Sequence, residues 1–363
     1  MSATPAIVDT HAEAAALELP PLLVREPLAA FLDARGIGSG PLEATPIGEG
    51  HSNVTYLVRR DGAEVVLRRP PRPPLPPSAH DVLREAQLLE ALAPTAARTP
   101  TVLATCAEEA VIGAPFYVME KVEGEVLLHA LPEALDPPAQ RRLVAEQLID
   151  ALVEVHAVDW RACGLEGYGR PSGYLDRQLR RFSGLWEHNK TRELPALDRV
   201  TAWLTAQRPA SGPATIVHGD YRLGNVMFAH GAPARLAAIF DWELATIGDP
   251  LADVGYLAAT WAQPGDEEAG TIFSLGAVTT QPGFPTRAEL IARYEERSGR
   301  SMRDVRWYAT LALWKAAVFL EGSYRRLLAG TTDDPFFALL DRGVPALAER
   351  AWAVASGSGE RTV

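Results

Sequence analysis

The chain has 363 residues, 47% of them hydrophobic and 22% charged, which suits two lobes or domains of an ordinary globular protein. Thirty-five basic against 46 acidic residues leave a net charge of −11, which excludes a general nucleic-acid binder. No apolar run approaches the roughly 18 residues of a membrane span, and two distant cysteines, Cys106 and Cys163, exclude a disulfide framework.

Residues 1–24 are rich in Ala and Pro and carry Asp9, Glu13 and Glu18 without a basic start. They are expected to form a flexible N-terminal segment rather than a secretory signal, which makes the expected location the cytoplasm. A short helix is expected over Pro27–Arg35, ending before Gly36. Gly48-Glu49-Gly50-His51-Ser52-Asn53 then feeds an apolar run, Val54–Val58. Asp61-Gly62 signals a tight hairpin turn, and Val65-Val66-Leu67 is the return strand, ending at Arg68. The proline run 70–77 can be neither helix nor central strand. From Asp81 to Leu92, helical spacing places Val82, Leu83, Ala86, Leu89 and Leu92 on one side, with Glu85 near the middle. A further strand, Phe116–Met119, precedes Glu120-Lys121-Val122-Glu123-Gly124, where the boundary between lobes is expected. The first lobe is then 25–123 and the second 124–353.

The second lobe reads as mostly helical. Leu143, Leu148, Leu152 and Val155 recur at near-helical spacing over 139–158, and 305–328 is a long proline-free helix rich in Trp, Leu and Ala. Thr215–Phe240 is strand-like around a turn, and 262–286 is loop-prone. The tail, 354–363, with Ser356-Gly357-Ser358-Gly359, is expected to fray.

Within the strand-like island, Ile216-Val217-His218-Gly219-Asp220-Tyr221-Arg222-Leu223-Gly224-Asn225 leads into Val226-Met227-Phe228. A turn with Gly231 and Pro233 follows, then Leu236–Phe240 and Asp241-Trp242-Glu243. Two apolar runs of similar length joined by turn residues predict an antiparallel hairpin. Asn225 opens its first strand and Asp241 closes its second, so their side chains meet. An amide oxygen beside a carboxylate suits a hard cation such as magnesium. Asp220, five residues before Asn225, approaches the same spot on the entering loop. Phosphoryl transfer needs this set: a cation on the phosphate oxygens and a carboxylate to take the proton of an attacking hydroxyl. The Asp-x4-Asn spacing is that of the kinase catalytic loop. His218 is expected to brace the loop, since Asp220 already fills the base role. Asp249-Pro250 reads as a helix start holding Asp253, which would anchor the catalytic loop from below. His156 reads as a packing residue. Lys315, Glu321 and Arg325 either point into an acceptor cleft or pair with one another.

This ordered set, with Gly248-Asp249-Pro250-Leu251-Ala252-Asp253 after it, resembles the aminoglycoside phosphotransferase family over about residues 40–350. More narrowly, it resembles the kinase-like domain fused to some acyl-CoA dehydrogenases and its stand-alone bacterial relatives, as does the helix with Lys315, Glu321-Gly322, Tyr324 and Arg325. The resemblance implies an α+β, protein-kinase-like two-lobe fold: an antiparallel sheet plus helix in the N-lobe, and a mostly helical C-lobe. It implies ATP and Mg2+, with Asp220 as catalytic base and Asn225 and Asp241 as metal ligands. Gly48, Gly50, Ser52 and Asn53 would belong to the turn over the phosphates, Glu85 would pair the strand cation, and the backbone at Glu120 and Val122 would bind adenine. Arg68 stands where the family usually has lysine; a guanidinium can bridge phosphate and carboxylate, with different reach. The implied acceptor is a small molecule with a hydroxyl, a hydroxyacyl-CoA or hydroxy acid. An aminoglycoside acceptor and a non-catalytic nucleotide sensor are the alternatives. Neither nucleic acid nor membrane is an expected partner, and no signal bears on oligomeric state.

Overall fold

Period-two alternation builds the sheet in the first third of the protein. The computed structural model describes residues 6–48, 53–73, 75, 80–266, 278–332 and 335–358. One compact unit runs to Glu123, apart from residues 96–98, which belong to a second unit beginning at Gly124. The first unit contains β1 (Ile7–Val8), α1 (His11–Ala15), β2 (Leu23–Val24), α2 (Arg25–Asp33), β3 (Ser39–Pro46), β4 (Val54–Asp61) and β5 (Ala63–Arg69). It continues with α3 (Val82–Leu92), β6 (Val102–Cys106), α4 (Glu109–Ile112) and β7 (Phe116–Glu120). Five strands form an antiparallel sheet in the order β3-β4-β5-β7-β6.

Arg60 pairs with Ala63, so Asp61-Gly62 is a two-residue turn, with Gly62 at φ +78°. Tyr56 and Val58 on β4, Val65 and Leu67 on β5, and Phe116 and Val118 on β7 bury one sheet face against Leu28 and Leu32 of α2. Each such side chain contributes roughly 1.5–3 kcal/mol. The alternation turns Arg68 to the opposite face from Leu67 and Arg69. Cys106 is buried in the same core and behaves as a small hydrophobe.

The segment before residue 25 is not flexible throughout, as its Ala and Pro content suggested. Residues 7–8 pair in parallel with 23–24, and Leu23 is fully buried. Arg69 fixes the arrangement: its guanidinium donates to the Leu22 carbonyl and, at 3.2 Å, to that of Ile112. Burial pulls its pKa down to about 10.

The second unit contains α5 (Pro138–Ala157), α6 (Tyr174–Asn189), α7 (Pro195–Ala206), β8 (Thr215–Val217), β9 (Val226–Phe228), β10 (Leu236–Ile239) and β11 (Thr246–Gly248). After these come α8 (Leu251–Thr260), α9 (Arg287–Ser298), α10 (Val305–Leu328) and α11 (Leu340–Ser356). Residues 96–98 belong here because Arg98 forks onto Glu154 of α5, at 2.8 and 2.7 Å. The core is organised on α10, whose Trp307, Tyr308, Leu311, Trp314 and Val318 are buried among residues of α6, α7 and α11. Helix α8 lies so close that a Cβ on Gly255 would sit 2.4 Å from the Tyr308 carbonyl carbon. The tail does not fray from residue 354. Helix α11 continues to Ser356 because Val354 and Ala355 are buried, and Gly357 ends it at φ +68°. The α+β architecture, an antiparallel N-terminal sheet followed by a helical remainder, is the one the sequence leads us to expect.

Candidate active site

The second unit gathers the chemistry at one end of a short hairpin. Strands β9 and β10 are antiparallel, with Val226 opposite Ile239. The ladder runs one residue further, where the Phe240 N–H donates to the Asn225 carbonyl at 2.8 Å. Asn225 and Asp241 therefore flank the same hairpin end. Asp241 adopts a left-handed backbone, φ +63° and ψ +57°, a region that Asp tolerates better than most residues. This turns the chain out of β10 into a short 3-10 turn, Trp242–Leu244.

Asn225 Nδ2 donates to both the backbone oxygen of Asp220, at 2.8 Å, and its Oδ2, at 2.7 Å. With both amide hydrogens spent, the Asn225 side chain offers its oxygen. Among the described residues no group of three or more His, Cys, Asp or Glu could cage a metal. One amide oxygen plus the Asp241 carboxylate instead fits magnesium, which keeps waters and takes phosphate oxygens to complete its octahedron.

The loop carrying Asp220 is fixed by buried polar groups. His218 is fully buried; its Nε2 donates to the Phe240 carbonyl at 2.8 Å, and its Nδ1 accepts from the Asp220 N–H at 3.2 Å. Both ring nitrogens are used in bracing, so His218 does not serve as a base. Gly219 is required where it stands, at φ +90°, with a would-be Cβ 3.0 Å from the Leu244 carbonyl oxygen. Below the loop, Asp253 on α8 accepts from the N–H groups of His218, at 2.7 Å, and Gly219, at 2.8 Å, and from His156 Nε2, at 3.1 Å. His156 Nδ1 accepts from the Tyr294 hydroxyl at 2.7 Å. Burial drives the His156 pKa down despite the carboxylate beside it. Burial pushes the Asp253 pKa up, but the hydrogen bond from His156 and the surrounding donors outweigh it and hold it below the usual value. The pair is a neutral imidazole donating to a carboxylate. Asp249 caps the start of α8, accepting from the Leu251 N–H at 3.1 Å, and receives the Tyr308 hydroxyl at 2.8 Å.

Two side chains at Asp220 are absent from the sequence reading. Arg222 Nε lies 3.6 Å from Asp220 Oδ1. Tyr256, three residues after Asp253 on α8, lies near the Asp220 carboxylate; burial first, then that charge, holds its phenol well above the usual pKa. The i+3 spacing from Asp253 is the signal that could have found Tyr256. The Asp220 side chain remains 20% exposed, so an acceptor can reach it.

In the first unit, Arg68 Nε donates to Glu85 Oε2 at 2.9 Å, with the two side chains 14% and 2% exposed. Arg68→Met strips Glu85 of this pair, and the expected loss is about 3–5 kcal/mol, measured as a lower urea midpoint. A loss under 1 kcal/mol would show the pair to be dispensable. Gly48 has φ +81° and open space where a Cβ would sit, while Gly50 and Ser52 lie outside the described residues. Asn53 is buried, with Oδ1 3.2 Å from His80 Nδ1. Glu120 Oε1 accepts from the Thr101 N–H at 2.9 Å, so its side chain is engaged within the sheet. Among the described residues the backbone of Val122 makes no hydrogen bond. Of the trio on α10, Glu321 accepts from Thr191 Oγ1 at 2.6 Å and Arg192 at 3.0 Å, and Arg325 donates to the His188 carbonyl. Neither pairs with Lys315.

Comparison with known proteins gives a consistent answer. The chain is 33% identical over 325 residues to acyl-CoA dehydrogenase family member 10 of Mus musculus, covering 89% of this chain and 30% of that protein. It is 31% identical over 303 residues to acyl-CoA dehydrogenase family member 11 of Homo sapiens, covering 83% of this chain and 38% of that protein. The chain thus spans roughly a third of these relatives. A crystal structure of a "putative aminoglycoside phosphotransferase" from Ralstonia eutropha superposes with a TM-score of 0.78 at 31% identity, covering 92% of this chain and 98% of that one. A ternary complex of aminoglycoside phosphotransferase APH(4)-Ia with AMP-PNP and hygromycin B shares the fold, with a TM-score of 0.59 at 16% identity, covering 92% of this chain and 99% of that one. Residues 43–308 match the phosphotransferase enzyme family, and with the kinase-like fold and the Asp220–Asn225 loop in place, the chain belongs to that family.

Proposed function

We propose that this protein transfers the terminal phosphate of ATP to a hydroxyl of a small acidic molecule, a hydroxyacyl-CoA or a hydroxy acid. The observation that carries the reading is the Asn225 amide, which holds Asp220 with both hydrogens at the hairpin end that Asp241 also flanks. Magnesium, held by Asn225 and Asp241, would neutralise the phosphate oxygens and orient the terminal phosphoryl group. Asp220 accepts the proton of the acceptor hydroxyl and aims it, while Arg222 and Tyr256 fix the carboxylate. Arg68 pairs with Glu85, and a guanidinium set by a carboxylate suits a phosphate oxygen, while the backbone at Val122 suits a purine edge.

The acidic acceptor is supported by relatives that carry an acyl-CoA dehydrogenase name. Purified protein with ATP and magnesium should release ADP when given a hydroxyacyl-CoA or a hydroxy acid, and not when given an aminoglycoside. ADP release with the aminoglycoside alone would overturn the acceptor class, and ATP binding without turnover on any acceptor would favour a sensor.

Asp241→Asn removes a charge from the metal end of the hairpin. Nucleotide affinity in the presence of magnesium should fall at least about tenfold, roughly 1.4 kcal/mol, while affinity without magnesium stays within about twofold. Calorimetric titration with and without magnesium reads the difference, and an unchanged magnesium dependence would remove Asp241 from the metal site.

A further inference from the structure

The chain has only three lysines, Lys121, Lys190 and Lys315, among 35 basic residues. Two of them behave as ordinary surface cations. Lys121 pairs with Glu64 and Glu123, each at 2.7 Å, and Lys190 with Glu187 at 2.8 Å. Lys315 is different. It is half-buried on α10, and among the described residues neither a hydrogen bond nor an ion pair reaches its ammonium. Its nearest mapped partner is an aromatic face: Nζ lies 4.8 Å from the centroid of Phe182 on α6. Such a contact returns about 0.5–2 kcal/mol and leaves the ammonium without a hydrogen-bonded or ionic partner among the described residues.

The place of Lys315 in the fold explains why the imbalance matters. It stands seven residues, two helical turns, after Tyr308 and so shares the stripe of α10 that packs on α8. Helix α8 carries Asp253 and Tyr256, which hold the catalytic loop and Asp220. The charged groups acting on Lys315 are Arg181 of α6, which repels a proton, and Asp253 and Asp220, which attract one. Burial is the largest influence and brings the lysine down to about 8. A cation with no ionic partner, on the helix face packed against the element that holds the catalytic loop, is what an anionic acceptor would complete.

We propose that Lys315, with Arg181 beside it, is the anion-binding part of the acceptor site. It would take a carboxylate or phosphate oxygen carried close to the hydroxyl that Asp220 activates. This rests on the phosphotransferase reading and narrows it, because an acceptor without a negative oxygen near its reacting hydroxyl leaves Lys315 unpaired. It also gives a reason for lysine at this one position. A compact ammonium fits between the Phe182 face and a substrate oxygen, where a planar guanidinium would extend past it.

The test has a binding arm that needs no turnover. Reductive 13C-methylation of the 363-residue chain gives three lysine side-chain signals beside the N-terminus, and Lys315→Arg assigns the third. Titration with 3-hydroxybutanoate should move the Lys315 signal saturably and leave those of Lys121 and Lys190 in place. The neutral 3-hydroxybutanamide should not move it. Inorganic phosphate as a second probe separates a phosphate-taking site from a carboxylate-taking one by which saturates at lower concentration. Equal shifts with acid and amide, or none with acid and phosphate, would overturn the proposal.

The kinetic arm separates this role from a proton-transfer role. On an acidic acceptor, Lys315→Met should raise KM at least about tenfold with kcat within about twofold, and Lys315→Arg, which keeps the charge but not the fit, should recover only part of the loss. A kcat that collapses on every acceptor, charged or neutral, would make Lys315 the base and overturn anion binding. If the wild-type protein releases no ADP with any acceptor, the phosphotransfer reading falls, and the signal titration still decides the anion site.

Discussion

Asp220→Ala should lower phosphate transfer by about 10^2 to 10^4-fold, the usual contribution of a positioned base, while ATP affinity changes less than about threefold. The carboxylate is held on one oxygen by Asn225, at 2.7 Å, and lies within 3.6 Å of Arg222 on the other. It is therefore aimed rather than free, and its role begins only when an acceptor hydroxyl arrives. Asp220→Asn keeps the shape and loses the proton acceptor, so its loss should match that of alanine. If positioning alone mattered, Asp220→Asn would instead do clearly better than Asp220→Ala. Folding should be nearly unaffected, because Asn225 still donates to the backbone oxygen of residue 220 at 2.8 Å and the loop keeps its anchor on Asp253. Single-turnover transfer and calorimetric ATP binding, measured on the same preparations, read the two quantities. Retention of more than about a tenth of wild-type turnover would remove Asp220 from the base role.

Local signals carried much of the fold. Asp61-Gly62 between two apolar runs marks the β4–β5 hairpin because a two-residue turn needs that chemistry, and α10 spans the proline-free stretch 305–328. The placement of two candidate residues was legible where it depends on sequence order: Asn225 and Asp241 flank the same hairpin end because two strands of similar length must bring their outer ends together. What stayed hidden is tertiary. Leu22-Leu23-Val24 are ordered because the Arg69 guanidinium, 47 residues after Leu22, takes the Leu22 carbonyl, and no window of composition contains that fact. Arg222 and Tyr256 converge on Asp220 from a loop and a helix whose packing no periodicity specifies. Glu321 and Arg325 resemble partners for Lys315 on the helix, yet their partners lie on and just after α6, at His188, Thr191 and Arg192. Turn chemistry and strand length are short-range, whereas choosing a partner for a charge requires the whole packing.

Asp253→Ala should be the most destabilising single change in the second unit, by about 3–5 kcal/mol. The carboxylate is fully buried and accepts three hydrogen bonds. Its removal orphans two loop N–H groups, each at about 1–3 kcal/mol, and strips His156 of its acceptor. Turnover should fall with stability, since the same two N–H groups hold the backbone leading into Asp220. The pH dependence has a definite sign. His156 has a depressed pKa in the fold, so below its ordinary 6.5 the unfolded chain binds a proton that the folded one refuses, and stability falls as the pH drops. Asp253 is also depressed, so its contribution is present above its ordinary 3.8 and is lost as the pH falls through its folded value. Both push toward acid unfolding, the histidine in the milder range. Urea midpoints from pH 7 down to 5 should therefore decline in the wild type. They should decline less steeply in His156→Gln, whose amide can still donate to Asp253 but cannot be protonated there. An Asp253→Ala protein within about 1 kcal/mol of wild type would show that the loop is held by other means, and an unaltered slope in His156→Gln would place the acid-sensitive group elsewhere.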